Sequence, residues 1–410
     1  SIRNKGQSIG EVISRTMGPK SKRLFIVFAY FTLVLVIAAF TSIVAGTFDG
    51  IGGTETENET NGIAATASIS FILFAVILGV IMNRLRTSAL VSSLVAMVFL
   101  VVCIVIGNLC PILISENVWI VILAIYIIAA SVAPVWVLLQ PRDFMCSFLL
   151  YGLLFASLIG IFVVMPDMNL PGFTSFETSV GYLFPALFIT VACGAISGFH
   201  STQSPLMARC LTNEKQARPI FFGAMISESV IALIWAGVAM AFFGGVEGLN
   251  SFMVENSNDA GLAVSHISVT TLGVLGSILA LLGVVAAPIT SGDTAFRSAR
   301  LIVADMLHID QRPIYKRLLV SAPLFAMGVG IAFVDFDVIW RYFAWSNQTL
   351  SVFTLWMITA WLSRRGSRYV WLAMIPAMFM TYICASFVFV SNQFIGLGSV
   401  PVAYVYGAAV

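Results

Sequence analysis

Residues 193–202 read CGAISGFHST and interrupt an apolar run, LFPALFITVA, that directly precedes them. Gly194 and Gly198 are poor helix formers, and the hydroxyl of Ser197 can hydrogen-bond a freed backbone carbonyl. This composition is typical of a discontinuous membrane helix, whose half-helix ends present N–H groups and carbonyls to a substrate and its coupling ion. The alternative is a Gly-xxx-Gly packing face that lets two helices approach closely.

Two titratable side chains are candidates for ion coupling. Glu228 lies inside the apolar run FFGAMISESVIALIWAGVAM, where an ionised carboxylate is costly, and this favours a group that takes up and releases a proton. Its alternative role is an ion pair with a basic residue from a neighbouring inner loop. His200, at the end of the interrupted run, is either a titrating or ligand group or an ordinary interfacial histidine.

The segment GVVAAPITSGDTAFRSARL places several oxygen ligands after a proline. We predict that Pro288 breaks the helix, that residues 291–294 form a turn, and that Asp293 caps a new helix by accepting backbone N–H bonds. Ser291, Asp293 and Thr294 then form an inner gate or a contact for a hard cation such as Na⁺. The alternative is a helix cap with no further role.

A second proline interruption lies in SVAPVWVLLQPRDF. Pro134 removes a backbone donor and clashes with the preceding turn, so it is predicted to interrupt the helix. The helix is predicted to end at Pro141, Arg142 and Asp143 on the inner face. Arg142 and Asp143 are candidates to anchor an inner gate, although sequence neighbours on a helix do not face one another. The alternative is a simple kink.

Two adjacent amides, Asn347 and Gln348, fall within the predicted membrane helix that contains WRYFAWSNQTL. Buried amides must find hydrogen-bonding partners, so they contact either a polar substrate or another helix. Arg341, between Trp340 and Tyr342, is predicted to lie in an aromatic belt at the outer surface.

The composition is that of a protein embedded in a lipid bilayer. Of the 410 residues, 59% are hydrophobic and only 10% are charged, whereas a soluble domain is about one quarter charged. No basic helix or basic–aromatic patch is present, which disfavours nucleic-acid binding. The six cysteines and three histidines show no zinc-ligand spacing and no phosphate-binding loop occurs, so we expect no metal, no cofactor and no direct use of ATP.

Eleven apolar segments are long enough to cross a bilayer, which takes about 20 residues. They are residues 24–48, 63–83, 88–106, 117–139, 146–165, 182–200, 220–244, 267–288, 317–334, 338–362 and 369–390. Ahead of them, Ser8 and Glu11 match a capping box that opens a short helix. The predicted fold is an all-α polytopic membrane protein with one transmembrane domain, consisting of an interfacial segment (1–23), a helical bundle (24–390) and an outward-facing tail (391–410).

The positions of the charged residues predict the orientation in the membrane. Twenty of the 21 Lys and Arg residues lie before the first span and in alternate loops, whereas the remaining loops hold none of them and 12 of the 19 acidic residues. Because basic loops face the cytoplasm, the N-terminus of this chain is predicted to be cytoplasmic and its C-terminus external.

Five stretches resemble the carbon starvation protein A (CstA) family of bacterial inner-membrane transporters: SIRNKGQSIGEVISRTMG, APVWVLLQPRDF, FITVACGAISGFH, ITSGDTAFRSARLIVAD and FAWSNQTL. The resemblance runs along essentially the whole chain and is to the family's shorter members. It implies uptake of peptides during carbon limitation, or proton-driven pyruvate symport as in some relatives. It also implies an APC/LeuT-like fold with inverted repeats and alternating access, and it leads us to expect that the family's first helices precede Ser1. After SGFH the family often has a Ser-Ser-Gly-Thr-like sequence, whereas this chain has STQSP, so the loop expected past His200 departs from the pattern.

The predicted function is a secondary active transporter of the bacterial inner membrane that imports small peptides or pyruvate-like carboxylates, driven by H⁺ or Na⁺. Substrate binding is assigned to the interrupted run and the amides, namely Gly194, Ser197, Gly198, His200, Asn347 and Gln348. Coupling or gating is assigned to Glu228, Ser291, Asp293, Thr294, Arg142 and Asp143. A channel needs pore-lining rings, and a membrane-embedded enzyme needs a nucleophile–base pair or a metal cluster. The sequence favours a carrier over both and over a starvation sensor, and it indicates no oligomeric state.

Overall fold

A computed structural model describes residues 4, 6–53, 55–85, 87–134, 136–164, 170–173, 175–178, 181–255, 263, 266–267, 274–307, 309–311, 313–334, 336–397 and 400–409. The helices in chain order are α1 (Ile9–Met17), α2 (Pro19–Thr47), α3 (Glu55–Leu85), α4 (Ala89–Leu109), α5 (Glu116–Val132), α6 (Leu139–Val164), α7 (Leu183–Val191), α8 (Phe199–Cys210), α9 (Ala224–Phe242), α10 (Val246–Glu255), α11 (Val274–Leu307), α12 (Ile314–Ala332), α13 (Phe336–Arg364), α14 (Trp371–Val390) and α15 (Val400–Ala409). A two-residue antiparallel pairing, β1 (Glu177–Thr178) with β2 (Gly181–Tyr182), precedes α7.

Within the described residues, seven helical stretches are long and apolar enough to cross a membrane. They are Pro19–Thr47, Asn58–Leu85, Ala89–Leu109, Leu183–Cys210, Glu214–Phe242, Ile314–Ala332 and Trp371–Val390. A helix covers at least part of each of the eleven segments predicted from the sequence, although residues 268–273 lie outside the described residues. The protein is therefore a helical, multi-pass membrane protein, and eleven crossings stay a prediction.

Helix α1 begins where the capping residues predict. The hydroxyl of Ser8 accepts a hydrogen bond from the amide of Glu11 (3.4 Å), which satisfies one of the free N–H groups of the first turn. The carboxylate of Glu11 pairs with Lys22 of α2. Ile9 and Ile13 are buried against the bundle, so α1 lies along the bundle with one apolar face covered.

Helix α2 lies at the centre of the bundle and contacts α5, α11, α12 and α13. Small residues let its neighbours approach closely, and Ala29, Ala38 and Ala45 are fully buried. Larger side chains, including Phe296 of α11 and Leu324 of α12, fill the core beside them. This packing fixes α11 and α13, which carry five of the twelve candidate site residues.

The segment around Pro134 differs from the prediction. Helix α5 ends at Val132, and α6 begins at Leu139, so residues 141–143 lie in the first turns of a helix and do not end one. Because the first turn of a helix needs no N–H donor, a proline is well tolerated there. The chain is interrupted at Pro134 rather than merely kinked.

The predicted break after Pro288 is also wrong. Helix α11 runs without interruption from Val274 through Pro288 to Leu307, so residues 291–294 are helical and Asp293 caps nothing. Membrane helices tolerate proline where neighbouring groups satisfy the freed backbone, and α11 packs against α2 and α6.

Candidate functional site

Helices α7 and α8 form one interrupted helix, as the composition of residues 193–202 predicts. Helix α7 ends at Val191, a 3₁₀ turn follows over Ala192–Gly194, residues 195–198 are irregular, and α8 begins at Phe199. The prediction of a discontinuous helix is confirmed. That its free backbone groups bind a substrate stays a prediction.

The residues after His200 are helical, which corrects the expectation of a loop at this point. Helix α8 continues to Cys210 and contains Pro205. The side-chain amide of Gln203 donates to the hydroxyl of Ser298 (2.9 Å), which joins α8 to α11.

Asn347 of α13 caps the second half of the interrupted helix. Its Oδ1 accepts from the backbone N–H of Phe199 (2.8 Å), which is the first residue of α8. Its Nδ2 donates to the hydroxyl of Ser197 (3.0 Å), and both side chains are buried. Asn347 therefore does, from a different helix, what a local N-cap residue normally does.

Gln348 satisfies backbone groups on the other side of the break. With its amide oriented so that both ends are bonded, the nitrogen donates to the carbonyl of Ile196 (2.8 Å) and the oxygen accepts from the amide of Cys193 (3.2 Å). Its side chain is fully buried. The two amides thus hold the helices together in this structure, which is the alternative to substrate contact that the sequence leaves open.

Both glycines of the interrupted helix pack closely on neighbouring helices. A Cβ at Gly198 would overlap the carbonyl oxygen of Asn347 and lie 2.8 Å from the amide nitrogen of Ser351. A Cβ at Gly194 would lie 2.8 Å from the Cβ of Ala232 on α9. The break and the Gly-xxx-Gly packing face are therefore two properties of the same segment.

His200 and Glu228 face each other beside the break. His200 Nε2 lies 3.0 Å from Glu228 Oε2, and the two side chains are 34% and 41% exposed. Glu228 is therefore partly exposed and has a partner. A partner with a basic side chain is what the alternative role of Glu228 predicts. The partner comes from the interrupted helix and not from a loop, and no sequence signal links the two residues.

Asp293 and Arg142 form a buried ion pair between α11 and α6, and neither side chain is exposed. The hydroxyl of Tyr126 on α5 donates to Asp293 Oδ2 (2.9 Å) and accepts from Arg142 Nη1 (3.0 Å). Three helices therefore meet at one charged centre. Tyr126 was missed from the sequence because an isolated tyrosine in an apolar run carries no signal of its partner.

The other residues assigned to gating take smaller parts. Asp143 Oδ1 lies 3.0 Å from Arg142 Nη2, so these sequence neighbours do pair, with Asp143 half exposed. The hydroxyl of Thr294 donates to the carbonyl of Thr290 within its own helix (2.9 Å). Ser291 directly follows Thr290 in α11. The turn of oxygen ligands predicted for a hard cation is not formed.

Three further arginines bind the carbonyl end of α5. Arg297 donates to the carbonyls of Ala130 (3.2 Å) and Ala133 (2.7 Å), and Arg317 donates to that of Val132 (3.2 Å). Arg300, which is buried, donates to the carbonyl of Ser131. A helix end carries unpaired carbonyls and partial negative charge, which these guanidinium groups neutralise.

We call Arg142, Arg297, Arg300 and Arg317, with Asp293 and Tyr126, the arginine cluster. The sequence analysis assigns Arg297, Arg300 and Arg317 only to a basic inner loop. The structure places Arg297 and Arg300 within α11, because that helix continues where a turn is predicted, and it places the half-buried Arg317 in the first turn of α12.

Two cavities lie beside the interrupted helix. A small one of about 60 Å³ is enclosed by α1, α2, α8 and α11 and is lined by Ser201, Thr202, Arg209, Ser298 and Asp305, among others. A larger one of about 630 Å³ lies between α7, α13 and α14. The interrupted helix therefore separates a large cavity at the α7 end from a small cavity at the α8 end.

Comparison with known proteins identifies the family. The model of the family described as "Carbon starvation protein CstA" matches residues 1–274 and 260–386. An uncharacterized protein of Haemophilus influenzae is 49% identical over 114 residues, which are 28% of this chain and 82% of that protein. The pyruvate/proton symporter BtsT of Escherichia coli is 28% identical over 288 residues, or 67% of this chain and 38% of BtsT. The peptide transporter CstA of Campylobacter jejuni is 26% identical over 460 residues, or 93% of this chain and 64% of that protein. The chain thus spans less than two thirds of either named transporter, and it belongs to the CstA family.

Proposed function

We propose that this chain is a secondary active transporter that imports small peptides or pyruvate-like carboxylates across the bacterial inner membrane by alternating access, coupled to H⁺ or Na⁺. The observation that carries the proposal is the interrupted helix α7–α8, with its polar backbone bonded by side chains of α13. The names of the relatives, a peptide transporter and a pyruvate/proton symporter, support the same activity.

The substrate binds at the break in this proposal. The hydrogen bonds of Asn347 and Gln348 to the break are between neutral groups, and each contributes only about 0.5–1.5 kcal/mol net. A peptide group offers both a donor and an acceptor and can exchange with these bonds at little net cost, whereas a carboxylate replaces only the amide oxygens that accept from Phe199 and Cys193. Gly194, Ser197 and Gly198 contribute backbone groups to this exchange.

The pair His200–Glu228 couples the ion in this proposal. An imidazole and a carboxylate 3.0 Å apart change the net charge of the pair by one with each proton that they bind. Because His200 belongs to α8 and Glu228 to α9, that change alters the attraction between the interrupted helix and its neighbour. One positive charge moving inward gains about 2.3 kcal/mol per 100 mV of membrane potential.

In this proposal the helices joined by the arginine cluster stay fixed during transport. The cluster ties α5, α6, α11 and α12 together, and Gln203 and Ser298 connect this block to α8. Motion of α8 relative to the block would open and close the small cavity between them. We further propose eleven crossings, a cytoplasmic N-terminus and a LeuT-like inverted-repeat fold, which the charge distribution and the discontinuous helix support.

Uptake by purified protein in proteoliposomes tests the proposal. With pH and sodium gradients imposed separately, labelled pyruvate and dialanine are compared, and accumulation is expected for at least one of them under one gradient. Counterflow exchange without a gradient is expected as well, since a carrier exchanges labelled for unlabelled solute. The absence of both accumulation and exchange for every small carboxylate and peptide tested would contradict the proposal.

Glu228→Gln separates coupling from binding. The variant keeps a hydrogen-bonding side chain beside His200 but cannot ionise, so we expect loss of gradient-driven accumulation with counterflow retained. Glu214→Gln, in the 3₁₀ turn Glu214–Gln216 outside the pair, serves as the matched control and is expected to behave as wild type. Wild-type accumulation by Glu228→Gln would remove this residue from the coupling step.

A further inference from the structure

The larger cavity has the dimensions of a site for a small organic molecule. Its volume is about 630 Å³, and small-molecule sites in proteins usually measure about 300–1,000 Å³. Apolar side chains such as Leu183, Trp340 and Phe387 form much of its wall, and a few polar groups join them. Such a wall excludes water and leaves the polar groups to orient what binds.

The cavity leads toward the break in the interrupted helix. Ile189 and Thr190 of α7 line it, and the 3₁₀ turn at Ala192–Gly194 follows within one helical turn. Ala344 of α13 lines the same cavity, three residues before the capping amide of Asn347. A molecule in the cavity is therefore next to the elements proposed to bind substrate.

One cation stands at this cavity. Arg341 lines it, and every other Lys and Arg of the sequence lies in segments that the charge pattern assigns to the opposite side. The guanidinium of Arg341 is thus the cationic group at a mostly apolar wall, where it attracts an anionic group that comes within reach. Its planar guanidinium matches a carboxylate in two parallel hydrogen bonds.

Gln393, just after α14, is a polar residue of the cavity wall. Gln393 lines the cavity, and its Oε1 is buried without a hydrogen bond among the described residues. The backbone carbonyl of the same residue accepts from the hydroxyl of Tyr342 (2.9 Å), which fixes its position. The side-chain oxygen Oε1 is covered on all sides in this structure, so a ligand in the cavity does not reach it.

We propose that the cavity between α7, α13 and α14 is a substrate subsite in which Arg341 binds the carboxylate. The inference rests on the proposed transport function and adds a recognition site to it. The carboxylate is the group shared by pyruvate and by the C-terminus of a peptide.

A comparison of acids with their amides tests this subsite. Uptake of dialanine is measured in competition with unlabelled dialanine or dialanine amide, and uptake of pyruvate with pyruvate or pyruvamide. A charge-assisted bond to Arg341 makes the acid roughly tenfold to a hundredfold the better competitor in the wild type. In Arg341→Gln the acid loses that advantage, and the KM for the acid rises by the same factor.

Two controls separate recognition from structure. Arg368→Gln removes an exposed arginine that stacks on Tyr369 away from the cavity and is expected to leave acid preference and KM unchanged. Asp337→Asn removes a carboxylate four residues before Arg341 in the sequence and is expected to leave the acid preference intact. Equal loss of preference in Asp337→Asn and Arg341→Gln would assign Arg341 to an ion pair and overturn the proposal.

The outcomes also distinguish this inference from the transport function itself. If Arg341→Gln still transports and keeps the full preference for the acid, the subsite is wrong and transport stands. If the wild-type protein moves neither acid, the transport function fails first. If Arg341→Lys keeps the preference for the acid but has a higher KM than the wild type, a positive charge is needed at this position. Arginine then binds the carboxylate better because its guanidinium group forms two parallel hydrogen bonds.

Discussion

The interrupted helix and the arginine cluster both place polar groups inside an apolar bundle, but they hold them differently. The interrupted helix is held by neutral amides and close glycine contacts, and its ion pair His200–Glu228 is partly exposed. The arginine cluster is held by a fully buried ion pair and by arginines on the end of α5. Neutral bonds exchange partners at little cost, whereas a buried charge without its partner is strongly destabilising. The difference indicates that the interrupted helix is the moving part and the cluster the fixed one.

The largest expected effect is in the fixed part. Asp293→Asn removes the buried counter-charge of Arg142 and leaves it only the half-exposed Asp143. We expect a loss of about 3–5 kcal/mol in stability, measured as unfolding in detergent micelles. Replacing both partners, as in Arg142→Met with Asp293→Leu, should restore most of that loss because no lone charge remains. A single variant as stable as the wild type would show that the cluster does not hold the bundle together.

A smaller loss of stability is expected where the interrupted helix contacts α13. Gly198→Ala forces a methyl group into the backbone of α13, and overpacking of this kind is destabilising by about 1–3 kcal/mol. We expect transport to fall with it, because the break can no longer close on Asn347. Gly237→Ala on α9, where a Cβ meets nothing within 4 Å, is the matched control. Normal transport by Gly198→Ala would mean that the contact is not needed.

Removing the cap of α8 should affect transport more than stability. Asn347→Ala leaves the N–H of Phe199 and the hydroxyl of Ser197 without this partner, at about 1–3 kcal/mol. Asn347→Asp keeps the acceptor for Phe199 and should recover part of the stability. If Asn347→Ala transports with wild-type KM, the amide acts only as a contact between helices.

The smallest effect is expected at the membrane surface. Lys22→Met breaks the partly exposed pair with Glu11 between α1 and α2, and such pairs contribute less than about 1 kcal/mol. Unfolding and uptake assays should both give values close to the wild type. A large loss of transport with unchanged stability would instead assign α1 a part in the mechanism.

The sequence predicts what depends on composition along the chain. The apolar runs become helices, Ser8 caps α1, and the glycines and serine at 194–198 coincide with the break. These features follow from local propensity, capping and the scarcity of polar residues in a membrane.

What depends on neighbours in space was not predictable in the same way. A proline was expected to break α11, but packing on other helices keeps it continuous, and Asp293 meets Arg142 and Tyr126 instead of a helix end. The pairing of His200 with Glu228 joins residues from two helices, and nothing in their spacing announces it. Partners across a bundle are set by the three-dimensional arrangement, which a single sequence does not specify.

The central claim is that the break in α7–α8 is where substrate binds, and Cys193 offers the most direct test. Cys193 is an exposed residue whose thiol lies 3.5 Å from Asn347 Nδ2 at the break, and Cys110 is an exposed residue at the end of α4. In a variant that keeps only these two cysteines, alkylation by N-ethylmaleimide is timed with and without a saturating transported substrate. We predict that substrate slows labelling of Cys193 several-fold and leaves Cys110 unchanged. Equal labelling of Cys193 in both conditions, with transport intact, would contradict the account.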